Sequence, residues 1–286
     1  MGVLGAAASL PGWSPHPDVW LLVALLAAGY WIALVRVGPR FTAPGIPVAT
    51  KLQITSYSLG VFAIWLSSDW PIHDFAEKSM YSVHMVQHLL ITLIAIPLLL
   101  LGTPAWLARY FLAPGSLRFR FVRWWSRFLP ALIVFNVMLV LTHVPAIVNA
   151  SAQNGLLHFG IHSALFLTSI IVWMPVVSPL PEIPRLHWLP RMVYLFLQSI
   201  VPTVPASFLT LGDKPLYHYY IGLPHLWGVS TLEDQQIAGL IMKIGAGLFL
   251  WALIAVIFFR WAADEERRQR PQVRRALERE LSQMGL

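Results

Sequence analysis

The chain contains no cysteine among its 286 residues. This absence excludes disulfide bonds, cysteine-ligated zinc, iron–sulfur clusters and thiol catalysis. Charged residues are also scarce, at 12% of the chain, whereas an average soluble domain has about 25%. Hydrophobic residues make up 57%. Together these values exclude a soluble globular domain and a disordered chain, and they indicate a polytopic membrane protein.

Long apolar segments predict an all-α protein with seven transmembrane helices, because about 20 helical residues cross a bilayer. The predicted spans are residues 19–35, 54–66, 81–101, 132–148, 156–177, 193–211 and 237–261. The second span is short and is expected to begin near Lys51. The sixth contains Pro202 and Pro205 and is expected to be kinked or broken.

Basic residues gather in alternate loops, which predicts the orientation in the membrane. Seventeen of the 20 Lys and Arg residues follow the first, third, fifth and seventh predicted spans. The positive-inside rule then places the N-terminus outside and the C-terminus in the cytoplasm. It also explains the pI near 10.0 and the net charge of +7 without a nucleic-acid partner. The predicted organisation is a seven-helix transmembrane domain, residues 1–262, and a charged, helical cytoplasmic tail, residues 263–286.

Five histidines share one predicted depth in the outer half of the membrane. His84 and His88 begin the third span, His143 lies near the outer end of the fourth, and His158 and His162 begin the fifth. At 1.5 Å per residue they lie on the order of 5–12 Å below the outer surface. Each histidine alone could be satisfied by a backbone carbonyl or by water, but five at one depth favour a shared metal or cofactor site.

Two of these histidine pairs have the spacing i, i+4, in the sequences HMVQH and HFGIH. This spacing places both imidazoles on one helix face, one turn apart. HMVQH lacks the glutamate that acts as general base in a zinc-protease motif. Because no separate general acid or base is found apart from Asp234, an enzyme is not expected. Met80 and Met85 flank the first pair, and Asp234 and Met242 lie on one face of the seventh span. Imidazole with thioether favours Cu(I), and imidazole alone also suits Cu(II), zinc or iron.

Lys243 and the loop histidines leave alternatives open. Lys243 is the one basic residue well inside a predicted span. It is expected to pair with Asp234 or to extend outward towards the interface. His73, His218 and His225 lie in predicted outer loops, either in solvent or as collectors of metal for the site.

Four segments resemble the CtaG-type cytochrome c oxidase assembly factors, the seven-span, cysteine-free, Bacillus-type family. In chain order they are HMVQHLLITLIAIPLLLLGTP, THVPAI, LLHFGIHSALFLTSIIVWMPVVSP and EDQQIAGLIMK. The resemblance covers roughly residues 69–261. It carries over His84 and His88, His143, the His158 and His162 pair, and the DQQ motif that begins with Asp234.

The resemblance implies a multi-pass protein of a bacterial plasma membrane that helps to mature a haem–copper oxidase. Copper, as Cu(I) or Cu(II), would be bound by His84, His88, His143, His158, His162, Asp234 and Met242 and delivered to the oxidase. The implied partners are oxidase subunits and membrane lipids.

Two other functions are compatible with the histidines. A bis-histidine haem protein could carry electrons across the membrane, but no second histidine pair lies in the inner half for a second haem. A metal transporter would need a polar path through the inner half, and the spans there are almost uninterrupted apolar sequence.

Overall fold

A computed structural model describes residues 12–283, which form helices and connecting turns without a strand. The helices in chain order are α1 (Pro17–Arg40), α2 (Lys51–Ser68), α3 (Ile72–Lys78), α4 (Tyr81–Gly102), α5 (Ala105–Leu112), α6 (Leu117–Trp125), α7 (Phe128–Leu141), α8 (Pro145–Gln153), α9 (Gly155–Val177), α10 (Trp188–Ile200), α11 (Thr203–Leu211) and α12 (Thr231–Arg270). Helical backbone continues beyond α12 to Gln283, as predicted for the tail. Of the predicted domains, residues 1–11 and 284–286 lie outside the described residues.

Among the described residues, five helical stretches are long and apolar enough to span a membrane: α1, α4, α9, α10 with α11, and α12. A sixth is added if α6 and α7, which meet at a bend of 81°, count as one broken span. The chain is therefore an all-helical, multi-pass membrane protein. The seven spans predicted from the sequence therefore exceed the five or six that the described helices support. The helix of the second predicted span, α2, is 18 residues long, carries Lys51 and Gln53, and is not among the five.

The fourth predicted span, residues 132–148, does not form one helix. Helix α7 ends at Leu141, and α8 begins at Pro145. Proline has no N–H for the helical ladder and forces the residue before it into extended backbone. Val144 has that conformation, with ψ at 124°. His143 therefore lies in a turn between two helices rather than within a span.

The predicted break in the sixth span is confirmed. Helix α10 ends at Ile200 and α11 begins at Thr203, with Val201 and Pro202 in a turn between them. Both helices pack against α12. Gly239 of α12 lies so close to α11 that a Cβ there would be 2.5 Å from the Thr210 hydroxyl oxygen and 2.8 Å from the Ala206 carbonyl oxygen.

In the part of the chain that the structure describes, three helices contain a π-turn, in which a backbone N–H bonds the carbonyl five residues earlier rather than four. The turns span Ala33–Val37 in α1, Leu90–Ala95 in α4 and Ile241–Gly245 in α12. In α4 the i+5 partner of the Thr92 carbonyl would be Pro97, which has no N–H. The indole of Trp173 in α9 donates to that carbonyl instead, at 2.7 Å. This bond joins the two helices that carry the histidine pairs.

Candidate metal centre

Helices α4 and α9 bring three histidines together at one end of the bundle. The Nε2 atoms of His84 and His88 lie 2.7 Å apart. Their ring centroids lie 5.5 Å and 4.8 Å from that of His162. One ligand nitrogen from each of the three lies within 4.8 Å of the other two. The i, i+4 spacing predicted a shared face for His84 and His88, and the packing of α9 on α4 supplies the third imidazole.

The separations within this trio suit a metal ion. Zinc-like ions hold imidazole nitrogens at about 2.0–2.1 Å, so two nitrogens around a tetrahedral ion lie about 3.3 Å apart. The separations here, from 2.7 Å up to 4.8 Å, bracket that value. The Nδ1 atom of His84 is buried and has no hydrogen-bond partner. Such an atom is costly to bury without compensation, so the trio is not a self-satisfied hydrogen-bond network.

His158 lies against the trio but has other partners. Its ring stacks on that of His162 with centroids 4.1 Å apart. Its Nε2 atom lies 3.2 Å from a carboxylate oxygen of Glu77, and its Nδ1 atom lies 3.5 Å from the Ser151 hydroxyl oxygen. With both nitrogens engaged, His158 is placed to orient His162 rather than to bind an ion beside it.

His143 approaches the group from the turn after α7. Its Nδ1 atom lies 2.7 Å from the Leu139 carbonyl oxygen, and its Nε2 atom is buried without a partner. His143 and His88 line one cavity of about 50 Å³ together with Met85 and Met242. Pockets for drug-sized ligands measure about 300–1,000 Å³, so this cavity has room for an ion and none for a porphyrin.

Asp234 serves the protein backbone. It is fully buried, and its carboxylate accepts hydrogen bonds from the Tyr81 N–H at 2.6 Å, the Ser82 N–H at 3.1 Å and the Ser82 hydroxyl at 2.5 Å. A carboxylate in this position satisfies the free N–H groups at the start of α4 and interacts favourably with the helix dipole. Asp234 therefore caps the helix that carries His84 and His88, and the ligand role predicted for it stays a prediction.

The rest of the DQQ motif is structural in the same way. The side-chain oxygen of Gln235 accepts from the N–H groups of Leu216 and Tyr217, at 2.8 Å and 3.3 Å, and its amide donates to the Tyr217 carbonyl. The Gln236 amide donates to the Gly212 carbonyl at 3.2 Å. The motif therefore ties the start of α12 to α4 and to the loop after α11.

The structure shows the surroundings of Lys243 and of the three loop histidines. Lys243 is exposed on α12, so the alternative of a pair with Asp234 is excluded. His218 is also exposed. The Nδ1 atom of His225 lies 2.9 Å from the Leu223 carbonyl oxygen. His73 is the one that adjoins the group, since its Nε2 atom lies 3.5 Å from the Glu77 carboxylate that contacts His158.

Sequence reasoning missed Glu77. Its side chain is 37% exposed and one carboxylate oxygen contacts His73 and His158 together. The available signal was the i, i+4 spacing from His73. The contact with His158 crosses 81 positions of the chain and had no local signal.

Asp74 fastens the segment before α1 to α3, outside the spans. Its carboxylate accepts from the Ser14 hydroxyl at 2.5 Å, contacts His16 Nε2 at 2.8 Å and binds the Lys78 ammonium. Burial raises the pKa of Asp74, but the hydrogen bonds from His16, Lys78 and Ser14 outweigh burial and lower the pKa from 3.8 to about 2. The ring of His16 in turn packs edge-on against His73.

The fold and this group of side chains define a class, the multi-pass helical membrane proteins with a candidate metal centre at one end of the bundle. The family model of the cytochrome c oxidase caa3 assembly factors matches residues 28–264, and the chain belongs to this family. Comparison with the curated proteins and with the solved structures found no match.

Proposed function

We propose that this assembly factor binds copper at His84, His88 and His162 and passes it to a haem–copper oxidase during assembly. The observation that carries the proposal is the trio itself, with three ligand nitrogens from two helices within 4.8 Å of one another. Family membership supplies the client, because an assembly factor associates with its oxidase. The basic residues of alternate loops support a position for this site in the outer half of the membrane, and the membrane that we propose is a bacterial plasma membrane.

The coordination offered by the trio suits delivery better than permanent storage. Three imidazoles leave room for a fourth ligand on a tetrahedral ion. An incoming ligand from the oxidase can occupy that position before the trio releases the metal, so copper can pass by ligand exchange. Glu77 contacts His158, and the ring of His158 stacks on that of His162, so these two side chains hold His162 in its orientation.

Copper stoichiometry tests the proposal. The detergent-purified protein is loaded anaerobically with Cu(I), desalted and measured by elemental analysis, beside the double variant His84→Ala/His88→Ala and the single variant His162→Ala. The matched control is His218→Ala, because His218 is an exposed loop histidine. We expect stoichiometric copper in the wild type and the control, and about one copper per chain less in the other two. Equal copper in all four proteins, or none in any, would overturn the trio as the copper site.

A further inference from the structure

We propose a second copper position that is specific for Cu(I), in the cavity bounded by His143, Met85 and Met242. This inference rests on the proposed function, since it takes the same metal. It adds a site of different chemistry behind the histidine trio. His88 lines this cavity and also belongs to the trio, so the two positions share a wall.

The imidazole of His143 is held as a ligand would be held. Its Nδ1 atom lies 2.7 Å from the Leu139 carbonyl oxygen, so Nδ1 carries the proton and donates. Nε2 then keeps a free lone pair in the neutral ring. That atom is buried and has no hydrogen-bond partner. Metal-binding histidines have this arrangement, in which one ring nitrogen donates to a carbonyl and the other binds the ion.

Two thioethers complete the donor set. Met85 of α4 and Met242 of α12 line the cavity and are 2% and 3% exposed. Thioether sulfur is a soft, uncharged ligand that selects Cu(I) over harder divalent ions. One imidazole and two thioethers place no negative charge in the bundle interior, which suits a monovalent cation.

The backbone around the cavity departs from regular helix on both sides. The π-turn of α12, Ile241–Gly245, contains Met242, and the π-turn of α4, Leu90–Ala95, begins two residues after His88. A π-turn inserts one residue and rotates the helix face that follows it, and such turns are frequent at functional sites. Thr92 and Met242, one from each of these two π-turns, both line the cavity, whereas the π-turn of α1 does not contribute to it.

Copper X-ray absorption separates the two positions, because sulfur and nitrogen neighbours scatter differently. Wild-type protein loaded with Cu(I) should show sulfur at about 2.3 Å, the usual metal–thiolate distance and close to that of a thioether. The variant Met85→Leu/Met242→Leu conserves side-chain volume and should lose the sulfur signal. Its affinity for Cu(I) should fall on the order of 10- to 100-fold, the scale on which ligand surroundings change metal affinity. Its affinity for Cu(II) should not change.

The controls keep a folding defect apart from a lost ligand. Met174→Leu replaces a methionine that is equally buried, at 2% exposed, but lies in another cluster of the core. It should keep the sulfur signal. His143→Ala should lower Cu(I) affinity while the His84→Ala/His88→Ala variant keeps the sulfur signal at the copper that remains. Elution volume on size exclusion checks the fold of each variant.

The outcomes distinguish this inference from the proposed function. Copper bound through nitrogen alone in the wild type would overturn the second position and leave the trio standing. A sulfur signal that survives in Met85→Leu/Met242→Leu would also overturn it. Absence of bound copper altogether would overturn the proposed function, and the second position with it.

Discussion

The buried polar residues at the histidine end of the bundle form two sets. In the sequence both are polar side chains beside apolar segments, but in the structure they differ in whether their polar atoms have hydrogen-bond partners. In the first set, Asp234 and Gln235, every side-chain oxygen accepts a hydrogen bond from the backbone or from a hydroxyl. In the second set, His84 and His143, one ring nitrogen of each has no partner. Both sets lie close to the start of α4, but only the second set has a buried ring nitrogen without a hydrogen-bond partner.

This difference separates residues that hold the fold from residues that can bind. A buried carboxylate with three donors contributes to stability whether or not a ligand is present. A buried imidazole with a free nitrogen costs stability until something binds to it. The comparison therefore predicts opposite signs for the two sets in stability and in metal binding.

The largest effect is expected from Asp234→Ala. The substitution removes three hydrogen bonds at the start of α4 and leaves two buried N–H groups unpaired. Each buried donor left without a partner costs about 1–3 kcal/mol, so the unfolding midpoint in detergent should fall steeply. The control is Asp213→Ala, at an exposed position. An Asp234→Ala protein that stays stable but no longer binds copper would make Asp234 a ligand after all.

The histidine trio should show the reverse pattern. Copper at 100 times its dissociation constant stabilises a protein by about 2.7 kcal/mol, so the wild-type unfolding midpoint should rise on addition of copper. In His84→Leu/His162→Leu the metal-free free energy of unfolding should stay within about 1 kcal/mol of wild type. Cu(II), which the second position does not select, should no longer raise it. A variant that is strongly destabilised without metal and is still stabilised by Cu(II) would show that these two histidines hold the fold rather than bind the metal.

Asp74 is a further member of the first set, because its hydrogen bonds hold the segment before α1 against α3. Protonation of Asp74 in acid tests this role. Because its pKa is lowered to about 2 from 3.8, its stabilising bonds are fully present above about pH 4 and are lost as the pH falls towards 2. The bonds of one such buried carboxylate contribute about 2 kcal/mol. The segment at Ser14 and His16 should then leave α3.

A spin label measures this release, because a single cysteine at Gly12 would be the one thiol in a cysteine-free chain. A Cβ at Gly12 meets nothing within 4 Å. Label mobility should rise between pH 4 and pH 2, and in Asp74→Asn it should already be high at neutral pH. A rise confined to the range above pH 5 would exclude Asp74 as the cause.

The smallest effect is expected at Glu77, which supports the trio through His158. Glu77→Ala should weaken copper binding by about tenfold, the lower end of the effect of outer partners on metal affinity. Glu77→Gln keeps an oxygen near His158 and should recover most of that loss. A titration of copper against a competing chelator measures both. Equal weakening in the two variants would mean that the charge of Glu77, rather than its bond to His158, is what matters.

The sequence predicted the all-helical class, the family and the convergence of His84, His88 and His162, because helical spacing and a common depth are local properties. It also predicted the break at Pro202. The end of α7 before Pro145 could have been predicted from the same chemistry, but the surrounding apolar residues favoured one continuous span. Proline outweighs hydropathy at that point.

The role of Asp234 could not be predicted from local sequence. A carboxylate at the start of a helix is equally suited to a metal ion and to the free N–H groups of another helix. Its partners, Tyr81 and Ser82, lie about 150 positions earlier. The contact of Glu77 with His158 could not be predicted for the same reason, because it forms only when α3 and α9 pack together.

The bond from Trp173 to the Thr92 carbonyl has a consequence for which ions the protein accepts. It fixes the spacing of α4 and α9 one turn below His88, and these two helices carry the whole trio. A pair of helices held at one spacing suits one range of metal–nitrogen distances and penalises ions that need another. Discrimination between ions of different radius would then depend on an indole that touches none of them, and Trp173→Phe should make the protein less selective before it makes it less stable.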